Sequence, residues 1–255
     1  MKSKLTYNIL LLLLLQCFFS SCGRIILNNL GAFEKNMPLK YITNGEKKIA
    51  FFSMHHIGTR DFYEDTKNKI DSFIKLGYKV YYEAVHLGPV KDSLQKDTIY
   101  RKARKITGVD FVTAKANAGY IDTLNNTILG KKTNLISKYD LINQPRNLVP
   151  KSDTVRVKNV DATFLQLINE CEKKFGPIVL EIFDLETKFG EKYKFKKNKE
   201  INEYFLYVFR NHLIAETILN DSENKIIIVF GGLHFKGILE KLQTADKNYR
   251  QVEKL

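Results

Sequence analysis

The sequence predicts an α/β fold: a single domain in which a central, largely parallel (mixed) β-sheet is flanked by helices. Three observations carry this. Residues 226–230 form an unbroken, mostly β-branched apolar run, the pattern of a strand buried on both faces, and Gly231-Gly232 ends it before Phe235, Ile238, Leu239 and Leu242 take up helical spacing. Residues 48–53, 63–76 and 79–84 read as strand, helix and strand, which at this spacing is a right-handed crossover between parallel strands. Residues 200–219 read as one long helix, with Ile201, Phe205, Val208, Ala215 and Leu219 along its buried stripe, feeding the last strand.

The first residues have the order of an export signal. Lys2 and Lys4 precede an apolar run over 9–15 and then Ser20-Ser21-Cys22, a small-residue ending followed by cysteine. This predicts a signal peptide of lipoprotein type over residues 1–21, a lipid on Cys22 as the mature N-terminus, and a membrane-anchored protein of a bacterial cell envelope. Plain secretion and an uncleaved anchor are the alternatives. Residues 22–46, with Asn28-Asn29, Gly31, Pro38 and Asn44-Gly45, read as a tether, and residues 47–255 as the domain.

Of the three cysteines, Cys17 and Cys22 belong to the export segment, so Cys171 has no partner for an intrachain disulfide and is expected in the core. The chain carries a formal charge of +13. Export and the absence of aromatics interleaved with the lysines argue against nucleic acid, leaving a solvated basic surface or an anionic lipid surface as its use.

Between the predicted strands, residues 92–106 read as a helix with Leu94, Ile99, Ala103 and Ile106 inward, ended by Gly108. Residues 109–150 give no periodicity on which to place chemistry. Residues 154–160 read as a strand, and Asp161 as the cap of a helix running to Phe175 that buries Phe164, Leu165, Ile168 and Cys171. After Gly176-Pro177, residues 178–189 fit a helix or a strand, and residues 192–199 form a basic loop.

Chemistry gathers at three strand ends. Ser53-Met54-His55-His56 closes the first, Tyr82-Glu83-Ala84-Val85-His86 the second and Gly231-Gly232-Leu233-His234 the last. In a parallel sheet these are carboxyl ends, where open α/β sheets place ligands. Two imidazoles and a carboxylate suffice for a divalent transition metal that would activate water, and Arg210, beside Asn211, is the candidate cation for an oxyanion. His55 and His86 are further candidates that could equally line the loop, and His212 reads as a surface residue.

Met54-His55-His56-Ile57-Gly58-Thr59 with Phe62-Tyr63, Gly77-Tyr78 before Tyr82-Glu83, Arg210-Asn211, and Gly231-Gly232-Leu233-His234-Phe235 together resemble the TraB/GumN family, which includes the Tiki-type proteases. The resemblance spans about residues 48–242. It implies an α/β domain with two Gly-x-x-His motifs in which His56 and His234 are the histidines, Glu83 the acidic residue and Arg210 the helix arginine, with metal-dependent peptide cleavage in the Tiki branch. His56, Glu83 and His234 would then hold a divalent metal (manganese, cobalt or zinc), with Glu83, Arg210 and Asn211 catalytic and Gly231 and Gly232 shaping the site. Ser53 departs from the pattern, standing where the first motif has glycine. The alternative is a non-catalytic lipoprotein that binds a peptide or small molecule and sequesters a signal peptide.

Overall fold

The computed structural model describes residues 24–116, 119–128, 131–150, 156–194 and 196–255. The signal-like segment 1–21 and Cys22 lie outside them. The elements, in chain order, are β1 (Leu39–Thr43), β2 (Lys48–Met54), β3 (Ile57–Thr59), α1 (Arg60–Lys75), β4 (Lys79–Tyr82), α2 (Ser93–Thr107), α3 (Phe111–Ala116), β5 (Ile121–Asp122), β6 (Thr127–Ile128) and β7 (Lys131–Lys132). There follow α4 (Leu135–Tyr139), β8 (Leu141–Asn143), β9 (Val157–Asn159), α5 (Phe164–Phe175), α6 (Ile182–Glu186), α7 (Lys199–Glu203), a π-helical segment (Tyr204–Val208), α8 (Phe209–Asn220), β10 (Lys225–Gly231), α9 (His234–Ala245) and β11 (Arg250–Val252).

The main sheet has the order β11-β1-β2-β10-β4-β9. β2, β10, β4 and β9 run parallel, and β1 and β11 add an antiparallel edge. This is the mixed, mostly parallel α/β sheet expected. β10 lies between β2 and β4 and is covered on both faces, which is why its sequence does not alternate. Ile226, Ile228 and Phe230 pack with Ile214 and Ile218 of α8 and Ile238 and Leu242 of α9, while Ile227 and Val229 face Phe62, Tyr63 and Ile70 of α1.

Caps set the crossover helices. Thr59 Oγ1 accepts the Phe62 N–H at 3.1 Å to open α1, Asp92 Oδ1 accepts that of Gln95 at 2.8 Å to open α2, and Gly108 closes α2 in a left-handed conformation (φ 76°). Cys171 is buried among Ile99, Ala103, Leu167 and Phe205, in surroundings that push its thiol up to about 12 through burial first and the nearby Glu170 and Glu172 second.

Several expectations are corrected. Residues 24–46 are not a tether: Leu27, Ala32, Met37 and Ile42 are buried and β1 belongs to the sheet, so the packed domain starts well before residue 47. Leu94 faces solvent, because it lies in the first turn of α2 ahead of the stretch that meets α5. Asp161 does not cap α5; Thr163 does, in a capping box with Gln166. The single long helix is three joined segments, with the π turn interrupting it just before Arg210. Residues 109–150 hold a three-stranded sheet (β5, β6, β7) and a β3–β8 pair, packed through Ile121, Ile136 and Leu141 onto Leu27 and Ala32.

Truncating the core strand tests this layering. Ile228→Ala removes a fully buried side chain with both neighbouring strands in place to resist collapse, and should cost roughly 2–5 kcal/mol in denaturant unfolding.

Candidate functional site

The three strand ends singled out by the sequence point the same way. Phe230 and Gly231 are in register with Ser53 and Met54, Val229 is in register with Tyr82, and the Gly232 N–H donates to the Met54 carbonyl at 3.2 Å. His56, Glu83 and His234 therefore belong to one end of the sheet, and the end of β9 adds Asp161.

Arg210 is the hub. Its Nε donates to Asp161 Oδ1 at 2.8 Å, and its Nη2 donates to Asp161 Oδ2 at 2.7 Å and to Glu83 Oε1 at 2.6 Å. Nη1 donates to the Leu206 carbonyl at 3.1 Å. The Gly231 N–H donates to Glu83 Oε2 at 2.6 Å, so each carboxylate oxygen of Glu83 holds a donor. Burial pushes the Glu83 carboxyl up, but the Arg210 charge, the neighbouring His234 and the two hydrogen bonds outweigh it and hold Glu83 below its ordinary value. Asp161 goes the other way, since its desolvation exceeds what the Arg210 bonds and charge return. Burial opposes the charge on Arg210 as well, but the two carboxylates raise its pKa above an already high value.

His234 opens α9 and is buried. Its Nδ1 lies 2.7 Å from Asn211 Oδ1, an acceptor, so Nδ1 carries the proton and Nε2 keeps its lone pair. Burial, reinforced by the Arg210 charge and opposed by Glu83, pulls its pKa to about 4, which keeps the imidazole neutral at physiological pH. Asn211 can reach this position because residue 237 is glycine: a Cβ there would overlap Asn211 Nδ2.

A cleft of about 420 Å³ opens at this end of the sheet. His56 and Glu83 line it together with Tyr120, Asn143 and Gln144; His234, Arg210 and Asn211 do not. Asn143 shapes one wall, accepting the N–H groups of Tyr120 and Ile121 on Oδ1 at 2.8 and 2.9 Å and donating to the Ile121 carbonyl at 2.9 Å. His55 turns away toward Gly31 and Glu34, with Nε2 3.6 Å from Glu34 Oε2. His86 is exposed beside Asn159, and His212 pairs with Glu216 on the surface. Ser53 Oγ is buried without a hydrogen-bond partner, and its Cβ lies 3.3 Å from where a side chain on Gly232 would begin.

The residues present do not make a ready metal centre. Glu83 has one oxygen on a guanidinium and the other on a backbone N–H, and a cation entering there would meet the Arg210 charge. Among the described residues no group of three or more His, Cys, Asp or Glu side chains is arranged to hold an ion. Arg210, committed to two carboxylates and a carbonyl, positions Glu83 rather than reaching into the cleft.

Comparison with protein-family models, with curated proteins and with solved structures gave no match. Asp161 was read in the sequence only as a helix cap, and the cleft wall around Tyr120 and Asn143 was not singled out. Asp161 had a signal, since it follows the fourth parallel strand directly; Tyr120 and Asn143 had none.

The depressed pKa of His234 gives a pH dependence of known sign. The unfolded chain takes up the proton near 6.5 and the folded chain only near 4, so stability is lost as pH falls through that window. Urea unfolding at pH 7 and pH 4.5 should show a loss on the order of 2–3 kcal/mol from this group, absent in His234→Gln.

Proposed function

We propose that the chain is an exported hydrolase acting on peptides, with its reacting groups on the cleft at the carboxyl ends of the parallel strands. The observation that carries this is Glu83: an ionised carboxylate, held by Arg210 and the Gly231 N–H, that lines a cleft also lined by His56. A buried charge oriented by two donors is costly to build, and such groups gather at sites of chemistry. In this reading water attacks the peptide carbonyl carbon and Glu83 accepts its proton. His56 gives a proton to the departing amine as the C–N bond breaks, and the proton on Glu83 returns to His56. Asn211 fixes the His234 ring, and Arg210 holds the carboxylate in place.

A metal-dependent form of the reading would assign His56, Glu83 and His234 as ligands of manganese, cobalt or zinc. With Glu83 committed to Arg210, protein purified without chelator should carry well under one equivalent of transition metal by elemental analysis. One full equivalent, lost in each of His56→Ala, Glu83→Gln and His234→Ala, would instead establish the metal-dependent form.

A second reading, a lipoprotein that binds and sequesters a peptide without turnover, is favoured by one feature: both Glu83 oxygens already hold donors. Glu83→Gln separates the two. As a hydrolase the variant should lose about 100-fold or more in kcat on a peptide library while binding changes only a few-fold. Peptide binding by the wild type with no cleavage at any pH from 5 to 9 would leave the binding reading.

A further inference from the structure

We propose that the helical segment at residues 24–30 seats the domain directly on a lipid bilayer, with Ile25, Ile26 and Leu30 entering its apolar edge. The proposal rests on the export reading of the residues before it and is independent of the hydrolase reading.

The segment is docked on one side through Leu27, and its open side carries three large aliphatic residues together with Arg24, Asn28 and Asn29. Leu27 and Ala32 are buried against Ile121, Ile136 and Leu141, whereas Ile25, Ile26 and Leu30 are 56%, 59% and 54% exposed. Three large aliphatic side chains on the open side of so short a segment form a patch rather than the scattered exposure usual on a surface.

The segment is also held firmly to the domain. The Ala32 N–H donates to the Leu27 carbonyl and the Gly31 N–H to that of Asn28, both at 2.9 Å, with Gly31 left-handed (φ 75°): the helical turn ends in a Schellman closure. Gly31 then lies against His55, where a Cβ would fall 2.7 Å from Cε1, so no side chain fits. Thr59 Oγ1 donates to the Glu34 carbonyl at 2.6 Å, and Asp65 Oδ2 accepts the Met37 N–H at 2.7 Å. Cys22 precedes Arg24 by two residues in the sequence, a reach of about 7 Å at full extension. A lipid on Cys22 leaves the domain no slack, and the first side chains to meet the bilayer are Ile25 and Ile26.

Charge selects an anionic bilayer as the occupant. Arg24 and Lys138 stand 5.7 and 5.6 Å from the centre of the Tyr139 ring, which places two cations and an aromatic at the start of the segment, a combination suited to the headgroup layer. The formal charge, +13 for the full sequence and 13 − 2 = +11 once Lys2 and Lys4 leave with the signal, acts in the same direction. Because Gly31 packs on His55, the neighbour of His56, the seat is coupled to the loop that lines the cleft.

The chain contains no tryptophan, so a single indole introduced by Ile26→Trp reports its own surroundings. The full-length variant is reconstituted in phosphatidylethanolamine–phosphatidylglycerol vesicles doped with brominated phosphatidylcholine, and Leu94→Trp, at an exposed position in the first turn of α2, is the comparison. The seat predicts blue-shifted emission at position 26, quenched at least two-fold by the brominated lipid, and unquenched emission at position 94. Red-shifted, unquenched emission at position 26 overturns the proposal. Blue-shifted but unquenched emission overturns it too, because protein then covers the patch, either a second copy or the chain's own first residues. Mass spectrometry of the N-terminal peptide reads the lipid on Cys22 separately. Quenching without that lipid retains the seat, and lipidated protein without quenching loses it.

Discussion

The burial of Arg210 between two carboxylates is the constraint on which the functional end of the sheet depends. A guanidinium in the interior is tolerable only when its N–H groups are bonded and its charge is met, and here Asp161, Glu83 and the Leu206 carbonyl do both. The three charged groups come from a helix and two strand ends that lie far apart in sequence, so the contact fixes α8 against the ends of β4 and β9. One cation with two anions leaves a net negative charge. Glu83, which has the further donor of Gly231, is held below its ordinary pKa and stays ionised, while burial raises that of Asp161, the easier of the two to protonate.

The backbone around Arg210 is shaped to present two neighbouring residues to the same region. In a regular helix Arg210 and Asn211 would point about 100° apart. The π turn over Tyr204–Val208 widens the helix just before them, and Arg210 reaches the strand ends while Asn211 reaches His234. Gly237 completes the arrangement by letting α9 approach closely enough for the Asn211 amide to lie against its backbone. The imidazole tautomer thus depends on a glycine one turn along the same helix.

What the sequence made legible follows from how far each interaction lies along the chain. β2, α1, β4 and α9 could be read because apolar periodicity and caps are local, and the shared direction of three strand ends followed from crossover handedness. Asp161 was misread because Asp is a good helix cap and a cap at Thr163 two residues later is locally indistinguishable; only the long-range pairing with Arg210 separates them. The tether was misread for a related reason. Asn, Gly and Pro mark turns whether or not the residues between them pack, and the burial of Leu27 and Ala32 requires residues 121–141 to be in place. The π turn leaves no mark, since its residues suit an ordinary helix equally well.

The cleft joins the most and the least legible parts of the chain, and the division has a physical meaning. Glu83 cannot be re-aimed without unpairing buried charge, so the strand-end chemistry is fixed by the sheet and by Arg210. The opposite wall rests on Asn143, whose side-chain amide pairs with Tyr120 and Ile121 much as a neighbouring strand would. This wall, built on the β3–β8 pair and the Ile121–Ile136–Leu141 packing, makes no hydrogen bond to the ion pairs of Arg210 among the described residues and so is set independently of them. Under the function proposed above, Tyr120, Asn143 and Gln144 are the lining residues placed to discriminate among ligands. The same small unit carries Ile121 and Ile136, the surface on which the N-terminal segment packs, so one set of short elements supports both the cleft wall and the docking of that segment.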